Sequence, residues 1–334
     1  MDGHATLRES SRPEGPRTVS ARPYRSKKRR PVGVAELAVS SVQTTRIVHY
    51  VITEEQNTPK AAQTNTTPLS QPVDDQERGI EPPTGGASRD SAPTTVQRDR
   101  TFLYTGASSD QDVYLLRHLP YDDRDLYGHE DWTVWRALAS DTHPAYFTSY
   151  PNRLLDARDD IYELDEVRSI VSPHEDELLR LYYTHFHPSL PILESRETFT
   201  RQVAARNVPA SLLAAVYAAA LDFWDGEDAV LTGMGRLRCS VFESTLREAR
   251  TPSLRTVQAL LIYLQLAPEH VREPNHPGFW PLTAQLVGIA QEIGLHADPQ
   301  HWKVQPAERK LRRILWWSVY MQDKWCVAHH LDMK

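Results

Sequence analysis

Residues 209–224, PASLLAAVYAAALDFW, run for thirteen positions without a charge and are dominated by alanine and leucine. Both are strong helix formers. A helix that is apolar all round must be enclosed by other elements, because an exposed wall would leave its hydrocarbon in water. The segment therefore predicts a central, buried helix, and it sets the expectation for everything around it.

Working outward, the neighbouring stretches repeat apolar residues at three- and four-residue spacing, the stripe of an amphipathic helix. Toward the C-terminus, residues 236–250 place Leu237, Val241, Phe242 and Leu246 on one expected face. Ser253 is placed to cap a helix carrying Val257, Leu260, Leu261 and Leu264, with Pro268 as its break. Residues 278–293 carry Leu282, Leu286, Ile289, Ala290 and Ile293, and Gly294 supplies a left-handed C-cap. Pro306 opens a last helix through Leu311, Ile314, Leu315, Trp317, Ser318 and Met321.

Toward the N-terminus, Ser172-Pro173-His174-Glu175 has the capping-box pattern. Leu178, Leu179, Tyr182, Tyr183 and Phe186 follow as a stripe, and His187-Pro188 should stop the helix. No comparable run alternates with period two. The fold class expected is all-α, a helical regulatory domain over 168–334 preceded by an N-terminal arm.

That arm, residues 1–100, is rich in Pro, Ser, Thr, Gln, Asp and Arg and poor in aromatics. Such a composition buries too little apolar surface to offset chain entropy, so disorder is predicted. Residues 101–167 read as a partly ordered connector. Val113 to Leu116, and Trp132, Val134, Trp135 and Leu138, suggest short helices, and 143–151 a Pro- and Tyr-containing link.

The 334 residues are 40% hydrophobic with a net charge of -6, so the chain as a whole is not built to coat nucleic acid. Basic charge is local: Arg22, Arg25, Lys27, Lys28, Arg29 and Arg30 form one run before Pro31. Such a cluster suits nuclear import and phosphate contact. Its bland alternative is a solvated charge run. Phosphate contacts position without specifying, so sequence-specific reading of DNA by this tail is not expected. The two cysteines, Cys239 and Cys326, lie in apolar helical patterns and suit a reducing compartment and inert packing. There is no signal-peptide pattern and no apolar run of the ~18 residues a membrane span needs. A soluble, intracellular protein with no membrane partner is expected.

The helices arrive in a recognisable order. Residues 181–193, LYYTHFHPSLPIL, run an aromatic helix into a turn built on His187, Pro188 and Pro191. TVQALL at 256–261 centres on Gln258; Gly294-Leu295-His296-Ala297-Asp298 follows, then Glu308-Arg309, then Arg312-Arg313-Ile314-Leu315-Trp316-Trp317-Ser318-Val319-Tyr320 with Asp323-Lys324 behind. Together these resemble the fungal-specific transcription factor domain family over roughly residues 168–327. The resemblance implies a regulator of RNA polymerase II transcription in the nucleus, with transcription-regulator partners or a homodimer or heterodimer. It implies no particular small-molecule effector.

It also implies an N-terminal six-cysteine binuclear zinc cluster, and here the chain departs. Zinc needs closely spaced thiolates in tetrahedral reach, and no cysteine precedes Cys239. Residues 22–31, RPYRSKKRRP, are similar to the basic lead-in of such clusters, but VGVAEL follows at 32–37. The expectation is a cluster lost by a splice or frame change, with zinc only in another reading of the gene and DNA reached indirectly. Family members continue past the Trp-Trp helix with a Gly-Arg-Pro turn, so the helical domain is expected to be incomplete.

Arg309, Lys310, Arg312 and Arg313 are expected on the solvent face of the last helix, with their stems over apolar neighbours. Trp316 and Trp317 suit core or interface packing better than base stacking. Arg309 and Asp323 are a candidate pair within the fold. His185 and His187 have no third ligand nearby and belong to the turn; His329-His330 is incidental. Asp159, Asp160 and Glu163 have the spacing of a magnesium-diphosphate motif, but the second motif of terpene synthases is missing. No G-x-S-x-G, P-loop or H-E-x-x-H occurs, and no catalytic or metal site and no cofactor is expected. The reading is a transcription regulator acting through contacts with partner proteins or by masking activation segments. Its alternatives are a non-functional or dominant-negative truncated product and, remotely, a magnesium-dependent enzyme.

Overall fold

Antiparallel backbone pairing between residues 132–138 and 145–151 marks them as strands rather than helices. The computed structural model describes residues 95, 99–106, 112–156, 164–226, 228–266 and 278–331. Strands β1 (Arg100–Thr105), β2 (Leu126–His129), β3 (Trp132–Leu138) and β4 (Ala145–Pro151) form an antiparallel sheet in the order β1-β4-β3-β2. Helix α1 (Val113–Leu116) lies between β1 and β2, and α2 (Asn152–Leu155) follows β4.

The sheet corrects the all-α expectation. Its strands are aromatic and β-branched, residues that suit a pleated surface. Both faces are covered. Trp135, Ala137, Ala145 and Phe147 pack with Trp302 and Val304 on one side, and Val134 and Tyr146 pack with Val113 on the other. With both faces covered, burial does not alternate cleanly along β3 and β4, which hides their period of two.

The remainder is helical: α3 (Leu164–Val171), α4 (Glu175–Leu181), α5 (Arg196–Ala204), α6 (Ala210–Leu221), α7 (Asp228–Leu231), α8 (Met234–Glu248), α9 (Leu254–Tyr263), α10 (Phe279–Glu292) and α11 (Pro306–Leu331). Helix α6 is buried at all twelve positions and is wrapped by α3, α4, α8 and α9, as its composition predicts. Helix α11 closes the far side against α9 and α10.

Local signals fare unevenly. Ser253 accepts from the Thr256 amide at 3.2 Å, an N-cap as expected. Ser172 does not cap α4; its amide still bonds the Arg168 carbonyl at the end of α3, and α4 begins at Glu175. On α8, Leu237 and Val241 are buried, but Phe242 and Leu246 are 42% and 58% exposed. The inner positions there go to Ser240, Ser244 and Thr245, whose small side chains admit the neighbouring helix.

Candidate functional site

Two junctions gather the motif residues singled out from the sequence. The first lies where α10, α11 and the sheet meet. Helix α10 ends at Ile293, and Gly294 takes φ +76°. The Leu295 amide then bonds the Ala290 carbonyl at 2.8 Å, and the Gly294 amide bonds that of Gln291 at 3.0 Å. This is the paired closure of a Schellman turn. A Cβ on Gly294 would sit 2.6 Å from the Tyr104 ring, so glycine also admits the sheet to the helix end.

Tyr104 of β1 is the hub of this contact. Its ring meets His296 edge-on at 5.3 Å, Phe147 edge-on at 5.7 Å, and stacks on Trp302 at 5.7 Å. His296 also faces Trp316 of α11 at 6.2 Å. Burial pushes the His296 imidazole below its ordinary pKa, favouring the neutral ring. Leu295 is buried in the main core.

Beneath this aromatic layer lies Arg312. It was expected in solvent; instead it is 1% exposed. Its Nε pairs with Glu308 at 3.0 Å, one NH group donates to the Ile293 carbonyl at 3.0 Å, and the other to the Thr95 hydroxyl at 2.6 Å. The Thr95 hydroxyl in turn donates to Glu308. The guanidinium lies over Phe147 and Trp302, at 5.2 and 5.4 Å. A planar, always-charged fork can serve all these partners together, which an ammonium cannot.

Around this centre, Arg313 reaches Asp298 at 3.0 Å, and Arg309 donates to the Gln300 carbonyl at 2.9 Å. Arg309 and Asp323 are not partners; Asp323 pairs with Lys324 at 3.0 Å. Trp316 packs against the core, whereas Trp317 and Tyr320 are each 40% exposed and meet edge-on at 5.7 Å.

The second junction holds the His187 turn. Helix α4 runs into a π-helical turn, Tyr182–Phe186, and the His187 amide closes it on the Tyr182 carbonyl at 2.8 Å. Pro188 is exposed and Pro191 half-buried. Gln258 of α9, fully buried, donates to the Ile192 carbonyl at 2.6 Å. One turn earlier, Arg255 grips Glu194 with two bonds of 2.9 Å and donates to Gln258 at 3.2 Å. Tyr183 adds a bond to the Glu194 carbonyl at 2.9 Å. Burial lowers the His187 pKa; Glu194 opposes that weakly.

Tyr104, Phe147, Trp302, Thr95 and the Arg255–Glu194 pair were not singled out from the sequence. One signal was available for Arg312. Positions 308, 312, 315, 319, 322 and 326 form a single buried stripe on α11 at alternating steps of four and three. Arg312 sits within it, one turn after an acid.

Both junctions are packed hydrogen-bonding joints, built to fix elements against each other. Among the described residues no group of three His, Cys, Asp or Glu is placed to hold a metal ion. Cys239 on α8 is exposed and Cys326 on α11 buried, and two separate thiols do not fit a binuclear zinc cluster. No helix among the described residues is long and apolar enough to cross a membrane. The basic run Arg22, Arg25, Lys27, Lys28, Arg29 and Arg30, and the acidic Asp159, Asp160 and Glu163, lie outside the described residues.

With this geometry in place, residues 179–330 match the profile of the fungal specific transcription factor domain. The chain is 28% identical over 242 residues to Transcriptional activator protein DAL81 of Saccharomyces cerevisiae, covering 70% of this chain and 24% of that protein. It is 28% identical over 231 residues to an uncharacterized transcriptional regulatory protein of Schizosaccharomyces pombe, covering 66% and 35%. Cutinase transcription factor 1 beta of Fusarium vanettenii is 26% identical over 198 residues, covering 54% and 22%. The chain thus spans between 22% and 35% of the length of these relatives. No solved structure matches.

Proposed function

Because this chain carries a fungal-specific transcription factor domain, we propose that it regulates transcription by RNA polymerase II, from the nucleus, through contacts with other proteins. The observation that carries this is the family match over residues 179–330, whose motif residues converge on two joints that fix helix ends and turns. Such joints make a rigid scaffold with a defined outer surface, suited to binding and not to bond-making chemistry. The relatives named above are transcriptional regulators, and the role comes from them.

This sequence offers no closely spaced cysteines for the zinc-binding head expected of the family, and in our reading the domain works on DNA through a DNA-bound partner protein. The basic run at 22–30 serves nuclear import. Residues 168–334 form the regulatory domain and the first hundred residues an arm.

The test tethers the whole chain to an unrelated DNA-binding domain upstream of an RNA polymerase II reporter. A severalfold change in reporter output, up or down, is expected, and it should vanish when the joint is broken by Arg312→Ala. A tethered, nuclear, folded chain that leaves the reporter unchanged sinks the proposal. Changing Lys27, Lys28, Arg29 and Arg30 to alanine in the untethered chain should shift it from nucleus to cytoplasm.

A further inference from the structure

Helix α8 turns part of its apolar content the wrong way round for a helix that serves only its own core. Ser240, Ser244 and Thr245 point inward and are buried, whereas Phe242 and Leu246 stand exposed, together with Gly235 and Cys239. Positions 235, 239, 242 and 246 follow at steps of four, three and four, so they form one outward seam of about three turns. A single exposed apolar side chain needs no explanation; a contiguous seam marks a surface for a partner.

The seam is self-complementary about Cys239. Gly235 and Arg236 stand four and three positions before it, and Phe242 and Glu243 three and four positions after it. Around the helix, Gly235 and Phe242 fall on one flank of Cys239 and Arg236 and Glu243 on the other, at about 100° per residue. A second α8 laid antiparallel across a two-fold axis at Cys239 keeps each flank against its own copy. Phe242 then comes within one residue's rise, about 1.5 Å along the axis, of the level of Gly235 in the other copy, and Glu243 equally close to the level of Arg236. Both contacts occur twice.

Shape and charge agree with that register. A Cβ on Gly235 would meet nothing within 4 Å, so the exposed glycine leaves a shallow notch in the seam that a ring can fill. Arg236 and Glu243 are both exposed and opposite in sign. Antiparallel packing sets acid against base, whereas parallel packing would set Arg236 beside its own copy. Within its own chain Arg236 lies 4.0 Å from Glu166, with 65% and 49% of the two side chains exposed. An exposed contact of that length holds little, so Arg236 is not committed to it.

We propose that a second copy of this chain docks on α8 in an antiparallel contact centred on Cys239. Phe242 of each copy lies over Gly235 of the other, Arg236 of each faces Glu243 of the other, and Leu246 closes the two ends. The contact is read on the purified chain and stands apart from the reporter test of transcriptional function.

The test follows the full chain by sedimentation velocity over a dilution series and oxidises its thiols with copper phenanthroline. A monomer–dimer equilibrium is expected, together with a disulfide joining the Cys239 thiols of two copies, since these meet at the axis while Cys326 is buried. Cys239→Ser should abolish the cross-link. Phe242→Glu and Leu246→Glu should each weaken association at least tenfold while the melting curve of the diluted monomer is unchanged, because both side chains are exposed in it. Gly235→Leu should weaken association as strongly without lowering that curve, since leucine fills the notch yet suits a helix better than glycine. Arg236→Glu and Glu243→Arg should each weaken it severalfold, and the two together should restore it. A chain that stays monomeric at every concentration overturns the proposal. So does a dimer that fails to cross-link through Cys239, that tolerates Phe242→Glu or Gly235→Leu, or whose charge-swapped double variant stays weak.

Discussion

Arg312 and Glu308 pair at 3.0 Å one helical turn apart, with 2% and 6% of their side chains exposed. Arg312 to alanine leaves the buried Glu308 carboxylate without its charged partner, with Thr95 still beside it. Removing one member of a buried pair costs about 3–5 kcal/mol. The double change Arg312→Met with Glu308→Leu should cost much less, because no orphaned charge remains. Urea unfolding followed by tryptophan fluorescence checks both. Equal losses for the single and double variants refute this account.

Gly294 carries two demands at once, a positive φ and close approach by Tyr104. Gly294→Ala should therefore destabilise by about 2–3 kcal/mol, more than the ~1 kcal/mol of a left-handed position alone. In a Tyr104→Ala background the steric part disappears, so the two changes should be non-additive. A double-mutant cycle measured by thermal unfolding decides it; strict additivity contradicts the contact.

What was legible in the sequence depended on whether a residue's neighbours were local. Helix α6 announces its burial because no charge interrupts it, and the Gly294 turn follows from where the apolar stripe of α10 stops. The sheet was illegible for a non-local reason: residues 297–304, some 150 positions on, cover one face of β3 and β4 and erase the alternation. At Arg312 two signals oppose each other: its charge argues for solvent, whereas its position on the buried stripe of α11 argues for burial, and position prevails. The Gln258–Ile192 bond joins residues 66 apart, and spacing along one helix says nothing of it.

His187 and His296 make stability depend on pH in a defined direction. Burial holds both rings below the ordinary histidine value of 6.5 in the folded chain. The unfolded chain therefore takes up protons first as pH falls. Stability from these neutral rings is fully present above the unfolded value, and is lost as pH drops through 6.5 toward the folded values. Unfolding midpoints should be level from pH 8 to 7 and decline below 6.5. His296→Gln should flatten that decline, whatever it does to the midpoint at pH 8. A decline of the same slope in the variant assigns the effect elsewhere.

Gln258, fully buried, ties α9 to the turn after His187. Gln258→Leu keeps the volume but leaves the Ile192 carbonyl without that donor, within a residue only 1% exposed. An unsatisfied buried acceptor costs about 1–3 kcal/mol. The loss should be local before it is global. Amide exchange at residues 189–194 should quicken, because the turn loses the anchor that holds it on α9, while amides in α6 keep the protection set by global unfolding. Arg255→Lys should quicken the same amides, since an ammonium cannot hold Glu194 by two parallel bonds and also bond Gln258. Exchange that stays slow at the turn in both variants would show that the prolines alone define it, and the role given to Gln258 would fall.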